Sequence, residues 1–339
     1  MLVTSAANCR YLSGFTGDDS SLLVSTDEAC LLTDGRYTEQ AAQETQGFEI
    51  IARRRGLMEW AGRTAKRLNL SRLGFEAHHL SVAQHEDLAR GGRIELCGQP
   101  RTIEQLRQKK DAAEIRKVER AVRVAEDAFL RIRPQVKPGR TERELAHMLD
   151  SAMWDLGAEG PSFPTIVAAG ERSSLPHAKP TNRKIASGDA VLFDWGARVD
   201  SYTSDLTRVL FVDRISPVFE KIYGIVLDAQ RRALRKVKTG LTADQIDRAA
   251  RDAIKSRRHG KHFGHGLGHG IGLEIHELPV INGRSKTELK PGMIFTVEPG
   301  IYLPGRGGVR IEDDVLVTRG GGRVLTSMPK SLRDMVVRT

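Results

Sequence analysis

Ala190-Val191-Leu192-Phe193-Asp194-Trp195-Gly196-Ala197, followed by Tyr202-Thr203-Ser204-Asp205-Leu206-Thr207-Arg208, decides how this chain is read. Four consecutive apolar residues predict a buried strand, and the strand ends in a carboxylate. A charge there is costly to bury unless it is paired or coordinates a metal. A short hairpin through Gly196–Ser201 would place Asp194 and Asp205 on neighbouring strands with both carboxylates facing one cavity. A pair of acids flanking a turn is the alternative, and these two stretches alone leave it open.

The same setting recurs downstream. Glu298 ends the apolar run Met293-Ile294-Phe295-Thr296-Val297 and is followed by Pro299-Gly300, and Glu312 follows Val309-Arg310-Ile311. His269 lies between Gly268 and Gly270, in a segment from His259 to His276 that also holds His262 and His265. Alternating glycines there forbid a regular helix and let backbone approach a ligand closely. Ile271-Gly272-Leu273-Glu274-Ile275-His276 is expected to return to strand-like order. Four carboxylates and one imidazole suit a pair of hard-to-borderline divalent ions, Mn²⁺ first, then Co²⁺ or Zn²⁺. Two such ions side by side can drive hydrolysis. His177, in Ser174-Leu175-Pro176-His177-Ala178, is a loop histidine that gains meaning only from this company.

The two carboxylate-bearing stretches belong to a repeat. Val136-Lys137-Pro138-Gly139-Arg140-Thr141 matches Val237-Lys238-Thr239-Gly240-Leu241-Thr242, and Gly188, Asp194 and Gly196 match Gly292, Glu298 and Gly300. Thr141 and Thr242 each open a capping box, Thr141-x-x-Glu144 and Thr242-x-x-Gln245. Helix, turn, capped helix and strands occur twice, which predicts two halves related by a pseudo-twofold axis. Ser216-Pro217 starts a helix running to about Lys238. A long helix is expected from about Glu104 to Arg133, with Ile115, Val118, Val122, Ala125 and Phe129 at helical spacing. Residues 1–103 alternate short strands and helices and form an α/β domain that opens directly in a strand-like stretch, which implies a shortened first strand. Residues 104–339 form the second, α+β domain.

The chain's 339 residues exceed one ordinary core. Its 40% apolar and 28% charged residues are those of a soluble globular protein. No apolar stretch approaches the ~20 residues of a membrane span, and Met1–Arg10 has no signal-peptide pattern. Three cysteines, Cys9, Cys30 and Cys97, lack metal spacing and suit reduced thiols in the cytoplasm. The formal net charge of +10 raises nucleic acid as a partner. The basic residues instead interleave with apolar positions on helices such as 108–133 and 230–238, without an aromatic stacking platform, so no nucleic-acid partner is expected. No Gly-x-Ser-x-Gly elbow or phosphate loop is present, and Gly264-His265-Gly266-Leu267-Gly268 has no apolar strand before it.

Phe193–Ala197, Tyr202–Arg208, Gly268–Glu277, Glu298–Tyr302 and Gly308–Asp313 together resemble the motifs of the pita-bread metallopeptidases, among them Xaa-Pro aminopeptidases and Xaa-Pro dipeptidases (prolidases). Arg10–Gly17 and Leu32–Tyr37 resemble the creatinase-type N-terminal domain. The resemblance implies a creatinase-like domain followed by a pita-bread catalytic domain. It implies that Asp194 and Asp205 bind one metal, that His269 and Glu298 bind a second, and that Asp205 and Glu312 bridge the two. Glu298 also takes the proton of the attacking water, His177 and His276 contact the substrate carbonyl, and Arg310 supports the metal-site carboxylates and the substrate. Phe163, Tyr202 and Ile271, each beside a motif, are candidate walls of a proline pocket. The implied substrate is a peptide with proline at its second position, cleaved by an aminopeptidase or, alternatively, by a dipeptidase. A non-catalytic binding module or a metal-free amidinohydrolase on the same fold should have lost ligands, whereas all five positions are filled here. The Asp34–Tyr37 turn resembles a segment that approaches a neighbouring active site, which implies a homodimer or larger. Trp195, where an aliphatic residue or Phe is more usual, and Ser201, where Gly is common, depart from the pattern without touching a ligand.

Overall fold

The computed structural model describes residues 1–54 and 56–339 and divides into two units, Met1–Arg107 and Gln108–Thr339. The division falls a few residues beyond 103/104, at the end of a short helix, Thr102–Arg107. The long helix expected from Glu104 is therefore two helices, Thr102–Arg107 and Ala112–Ile132. Asp111 is the reason. Its carboxylate accepts from the backbone N–H groups of Ala113 and Glu114, and Glu114 returns the bond to the Asp111 N–H. Apolar periodicity runs past such a capping box without registering it.

The first unit is a six-stranded mixed sheet in the order Glu49–Ala52, Ala29–Thr33, Ser21–Val24, Leu2–Val3, Arg72–Glu76 and Glu95–Gln99. Side chains alternate across a strand, so the sheet builds two cores. Leu2, Leu23, Cys30, Leu32 and Leu73 pack with Met58, Ala61, Ala65 and Leu88 of two helices. Val3, Leu22 and Leu31 pack with Cys9, Phe15, Ala41 and Ile103. Helices Leu57–Arg67 and Val82–Gly91 touch backbone to backbone. A Cβ on Gly62 would lie 2.3 Å from the Leu88 carbonyl oxygen, and one on Gly91 would lie 2.3 Å from that of Glu59.

In the second unit the repeat is visible bond by bond. Helices Ala112–Ile132 and Glu142–Asp155 precede a sheet whose strands Ile166–Ala169, Ala190–Trp195 and Leu206–Val212 lie side by side, antiparallel. Helices Pro217–Lys236 and Ala243–Ser256 precede Gly268–Gly270, Ile294–Val297 and Asp313–Thr318, arranged in the same way. Thr141 bridges Lys184, and Thr242 bridges Glu288. The Gly139 N–H donates to the Ile185 carbonyl and the Gly240 N–H to that of Leu289. Gly188 and Gly292 have φ of +90° and +92°, the left-handed turn that favours glycine at both positions. The helices pack on the sheets around one core that includes Phe129, Phe193, Trp195, Phe211 and Phe295. Trp195 fills its unusual position by stacking on Phe129 at 4.3 Å and donating its indole N–H to the Ala125 carbonyl. Ser201 has φ +70°, which accounts for glycine being the common residue there.

One expectation fails locally. Residues 271–276 are irregular, and the strand resumes only at Glu277–Ile281, after a register shift between His269 and Gly270. Gly270 cannot carry a side chain there, because a Cβ would lie 2.2 Å from the Leu278 carbonyl oxygen. The close approach of the two segments replaces regular pairing.

Candidate active site

Strand geometry explains how four acids meet. Asp194 lies opposite Thr207 in the antiparallel pair, and Asp205 stands just before that strand. The hairpin can close because Gly196 has no side chain, since a Cβ would lie 1.8 Å from the Ser204 carbonyl oxygen. Glu298 follows the equivalent strand of the second half. Glu312, like Asp205, immediately precedes its strand. The repeat thus pairs Asp205 with Glu312 as well as Asp194 with Glu298. A bridge from Thr207 to Glu312 stitches the halves together.

Asp194, Asp205, His269, Glu298 and Glu312 all line one cavity of about 740 Å³. One ligand atom each from Asp205, His269 and Glu312 lies within 4.8 Å of the others. His269 Nε2 is 3.5 Å from Asp205 Oδ2 and 3.5 Å from Glu298 Oε1. Asp194 Oδ2 accepts from Arg310 Nη2 at 2.5 Å. Arg310 is buried and fully engaged: Nε donates to Thr207 Oγ1 at 2.9 Å, and Nη1 donates to the Tyr302 hydroxyl at 2.8 Å and to the Pro176 carbonyl. Thr207 Oγ1 in turn donates to Glu312 Oε2 at 2.6 Å. Thr296 Oγ1 donates to Glu298 Oε1, and the Asp205 backbone N–H donates to Asp314 Oδ2.

These groups fit a bound cation better than they fit one another. Burial raises all four carboxyls above their ordinary range. Glu298 is pushed up to about 8, first by burial and then by the charge of Asp194, against the pull of Arg310. Asp205 is raised by burial and by Glu312, Asp194, Asp314 and Glu298, and Glu312 by burial, Glu298 and Asp194. Burial, with the neighbouring His276, lowers His269 to about 4, so its ring is neutral. His269 Nδ1 lies 3.2 Å from the Gly270 carbonyl, which can only accept. The ring proton is therefore on Nδ1, and Nε2 turns a lone pair toward two carboxylates. Asp194 Oδ1 is buried without a hydrogen-bond partner. Acceptors facing acceptors in a dry pocket form a donor set for hard or borderline metal ions.

His177 and His276 line the same cavity, and the His276 ring centroid is 4.2 Å from that of His269. Phe163 forms part of the wall. The other two expected wall residues do not line it. Tyr202 turns toward the helix before it, where its hydroxyl donates to Glu114 at 2.9 Å and Lys117 lies over its ring. Ile271 is sealed in the interior just past the register shift. A place beside a motif in sequence did not set the direction of either side chain. The walls instead include Pro164, Ile166, Ile275 and Val280.

His265 and Tyr302, to which the sequence assigns no role, also line the cavity. His265 Nε2 lies 3.0 Å from the Tyr302 hydroxyl, and its Nδ1 lies 4.0 Å from Glu298 Oε2. Burial lowers His265 to about 4. In sequence, nothing separates His265 from His259 and His262, which do not line the cavity. Tyr302 could have been found from the hairpin Gly300–Leu303 with Gly307–Arg310, which sets Tyr302 opposite Gly308, two positions from Arg310.

A duplicated sheet-and-helix unit with acids and an imidazole gathered in one cavity, preceded by a separate α/β unit, defines the pita-bread hydrolase fold with a creatinase-type N-terminal domain. The sequence model of metallopeptidase family M24 matches residues 116–319, that of the creatinase/prolidase N-terminal domain matches residues 1–109, and the chain belongs to metallopeptidase family M24. It is 34% identical over 333 residues to a Xaa-Pro dipeptidase of Pyrococcus horikoshii, covering 98% of this chain and 93% of that protein. A solved Xaa-Pro dipeptidase from Bacillus anthracis is 40% identical, with a TM-score of 0.96 over 99% of this chain and 94% of its own. An X-Pro aminopeptidase from Thermotoga maritima is 39% identical, with a TM-score of 0.90 over 99% and 95%. Among the described residues no helix is long and apolar enough to cross a membrane.

Proposed function

We propose that this protein is a binuclear-metal Xaa-Pro peptidase, which hydrolyses the bond between an N-terminal residue and a following proline. The observation that carries the reading is the convergence of Asp194, Asp205, His269, Glu298 and Glu312 on one cavity, with a neutral imidazole facing the carboxylates. Relatives named for Xaa-Pro cleavage that align over nearly the whole chain support the substrate class.

In this reading Asp194, Asp205, His269, Glu298 and Glu312 would hold two divalent ions, Mn²⁺ first. Bound there, the ions would lower the pKa of a water and polarise the scissile carbonyl. Glu298 takes the proton from the attacking water and carries it toward the leaving proline nitrogen. His276 and His177 donate hydrogen bonds to the carbonyl oxygen as negative charge develops on it. Arg310 holds Asp194 in place and, through Thr207, orients Glu312. Proline brings no amide hydrogen to the scissile bond, and the apolar wall of Phe163, Ile166 and Val280 suits its compact ring.

The test compares Ala-Pro with Ala-Ala after reconstitution with Mn²⁺. Proline should be preferred by well over tenfold, and chelation should abolish turnover. Equal rates on the two dipeptides would refute the specificity, and full activity of thoroughly stripped protein would refute the metal reading. Substrate length divides the aminopeptidase reading from the dipeptidase reading, and a rate comparison of Ala-Pro with Ala-Pro-Ala decides between them.

A further inference from the structure

A dipeptide differs from the start of a longer peptide in one chemical respect: a carboxylate follows its proline. That carboxylate is one residue of backbone, about 3.8 Å, beyond the scissile bond. It therefore enters the cavity lined by Asp194, Asp205, Glu298 and Glu312, whose charges two divalent ions would already offset. A further cation on the wall, not spent on those acids, would favour it.

Among the described residues lining the cavity, Arg310 and Lys179 carry permanent positive charge. Arg310 is committed to Asp194, Thr207, Tyr302 and the Pro176 carbonyl, and it is 3% exposed. Lys179 is exposed and forms no ion pair with a carboxylate of this chain among the described residues. Phe163, Pro164, Ile166 and Val280 of the same cavity offer no charge.

The backbone that carries Lys179 is held firmly. The Lys179 carbonyl accepts from Arg172 Nη2 at 2.7 Å, and Arg172 Nε donates to both oxygens of Glu142 at 3.1 Å. Glu142 is fully buried, and its Oε2 also accepts from the backbone N–H and hydroxyl of Thr181. Pro180 restricts the backbone of Lys179, which precedes it, and has no N–H of its own to satisfy. Lys179 stands two residues from His177 on this strap, and both line the cavity.

We propose that Lys179 is a specificity-determining residue that recognises the free carboxylate following proline, so that the site favours Xaa-Pro dipeptides over longer chains. This rests on the Xaa-Pro peptidase reading. The pairing involves an exposed ammonium, so it acts on binding and is modest.

The test uses the Mn²⁺-loaded full chain with Ala-Pro, Ala-Pro-NH₂ and Ala-Pro-Ala. The amide keeps every atom near the scissile bond but removes the charge. Wild type should favour Ala-Pro over Ala-Pro-NH₂ in kcat/KM. Lys179→Met should lower that ratio about 3- to 10-fold, chiefly through KM for the acid. Lys179→Arg should restore most of the ratio, and Lys179→Glu should lower it further. A ratio that stays at the wild-type value in Lys179→Met, or a loss that is the same for acid and amide, overturns the proposal while leaving the peptidase reading standing. No turnover of any of the three substrates by wild type overturns both.

Discussion

Replacing Glu298 with Gln should stabilise the metal-free protein while weakening its response to metal, and the two effects have opposite signs for one physical reason. In the metal-free site the Glu298 carboxyl is pushed up to about 8 by burial and by Asp194. Its pKa in the folded protein is thus raised above that of the unfolded chain, which is near 4.5. The folded state holds its proton more tightly, so this group's contribution to stability is fully present below pH 4.5 and is lost as the pH rises through about 8. Between those values lie more than three tenfold steps of about 1.4 kcal/mol each, so the cost at pH 9 is on the order of 5 kcal/mol. Gln is isosteric and never ionises, so it escapes that cost. At about 2–4 °C per kcal/mol for a unit of this size, stripped Glu298→Gln should melt on the order of 10 °C above stripped wild type at pH 9. At pH 5.5 the advantage should shrink to about 1–2 kcal/mol. With metal the gap narrows at pH 9 and the order reverses at pH 5.5. Wild type should gain about 2.7 kcal/mol at a hundredfold excess over Kd, and the variant, lacking a charged ligand, should gain much less. Thermal unfolding followed by circular dichroism, with EDTA or Mn²⁺ at both pH values, reads all four states. A stripped variant no more stable than stripped wild type at pH 9 would refute the account of a carboxylate cluster held together by its metals.

Other outcomes follow from the same geometry. Glu298→Gln should also lose at least ~10²-fold in turnover, since an amide cannot take the proton, and near-normal turnover with metal retained would remove Glu298 as the base. His276→Ala should lower kcat and kcat/KM together by about 10²–10³-fold with metal content unchanged, whereas a rise in KM alone would place His276 in uniform substrate binding. Arg310→Met leaves the buried Asp194 without its cation and the Tyr302 and Thr207 hydroxyl oxygens without the N–H donors they accept from, and should cost about 3–5 kcal/mol in urea unfolding of the stripped protein. A change under ~0.5 kcal/mol would show that Arg310 is not the group that holds this corner. Mn²⁺ reconstitution should approach two equivalents per chain by metal analysis, and light scattering should report a homodimer or larger, with a fully active monomer ruling out a contribution from the Asp34–Tyr37 turn of a second copy.

What was legible in the sequence was whatever depends on neighbours along the chain. Thr141 with Glu144, and Thr242 with Gln245, satisfy the first backbone donors of their helices locally, so the caps can be recognised without a fold. The left-handed turns at Gly188 and Gly292 are equally local, which is why the repeat survives as a sequence pattern. The acids stood out because a carboxylate ending a buried strand needs a partner wherever the strand goes. The break at Asp111 was also local, but apolar spacing continues across it and hides the cap.

Side-chain direction and partnership across the repeat could be decided only by the tertiary structure. Tyr202 and Ile271 sit beside the right motifs, yet one faces Glu114 and the other the interior, because the bulge after His269 and the short hairpin reset which face each residue presents. Asp205 and Glu312 are equivalent because each immediately precedes its strand, Leu206–Val212 and Asp313–Thr318. The raised pKa of Glu298, the lone pair of His269 turned toward acids and the chain from Arg310 through Thr207 to Glu312 exist between residues far apart in sequence. The sequence by itself determined which residue types were available and which backbone turns could present them. Their distances and burial belong to the packed fold, because the strength of a charge in a protein depends on the water excluded from around it.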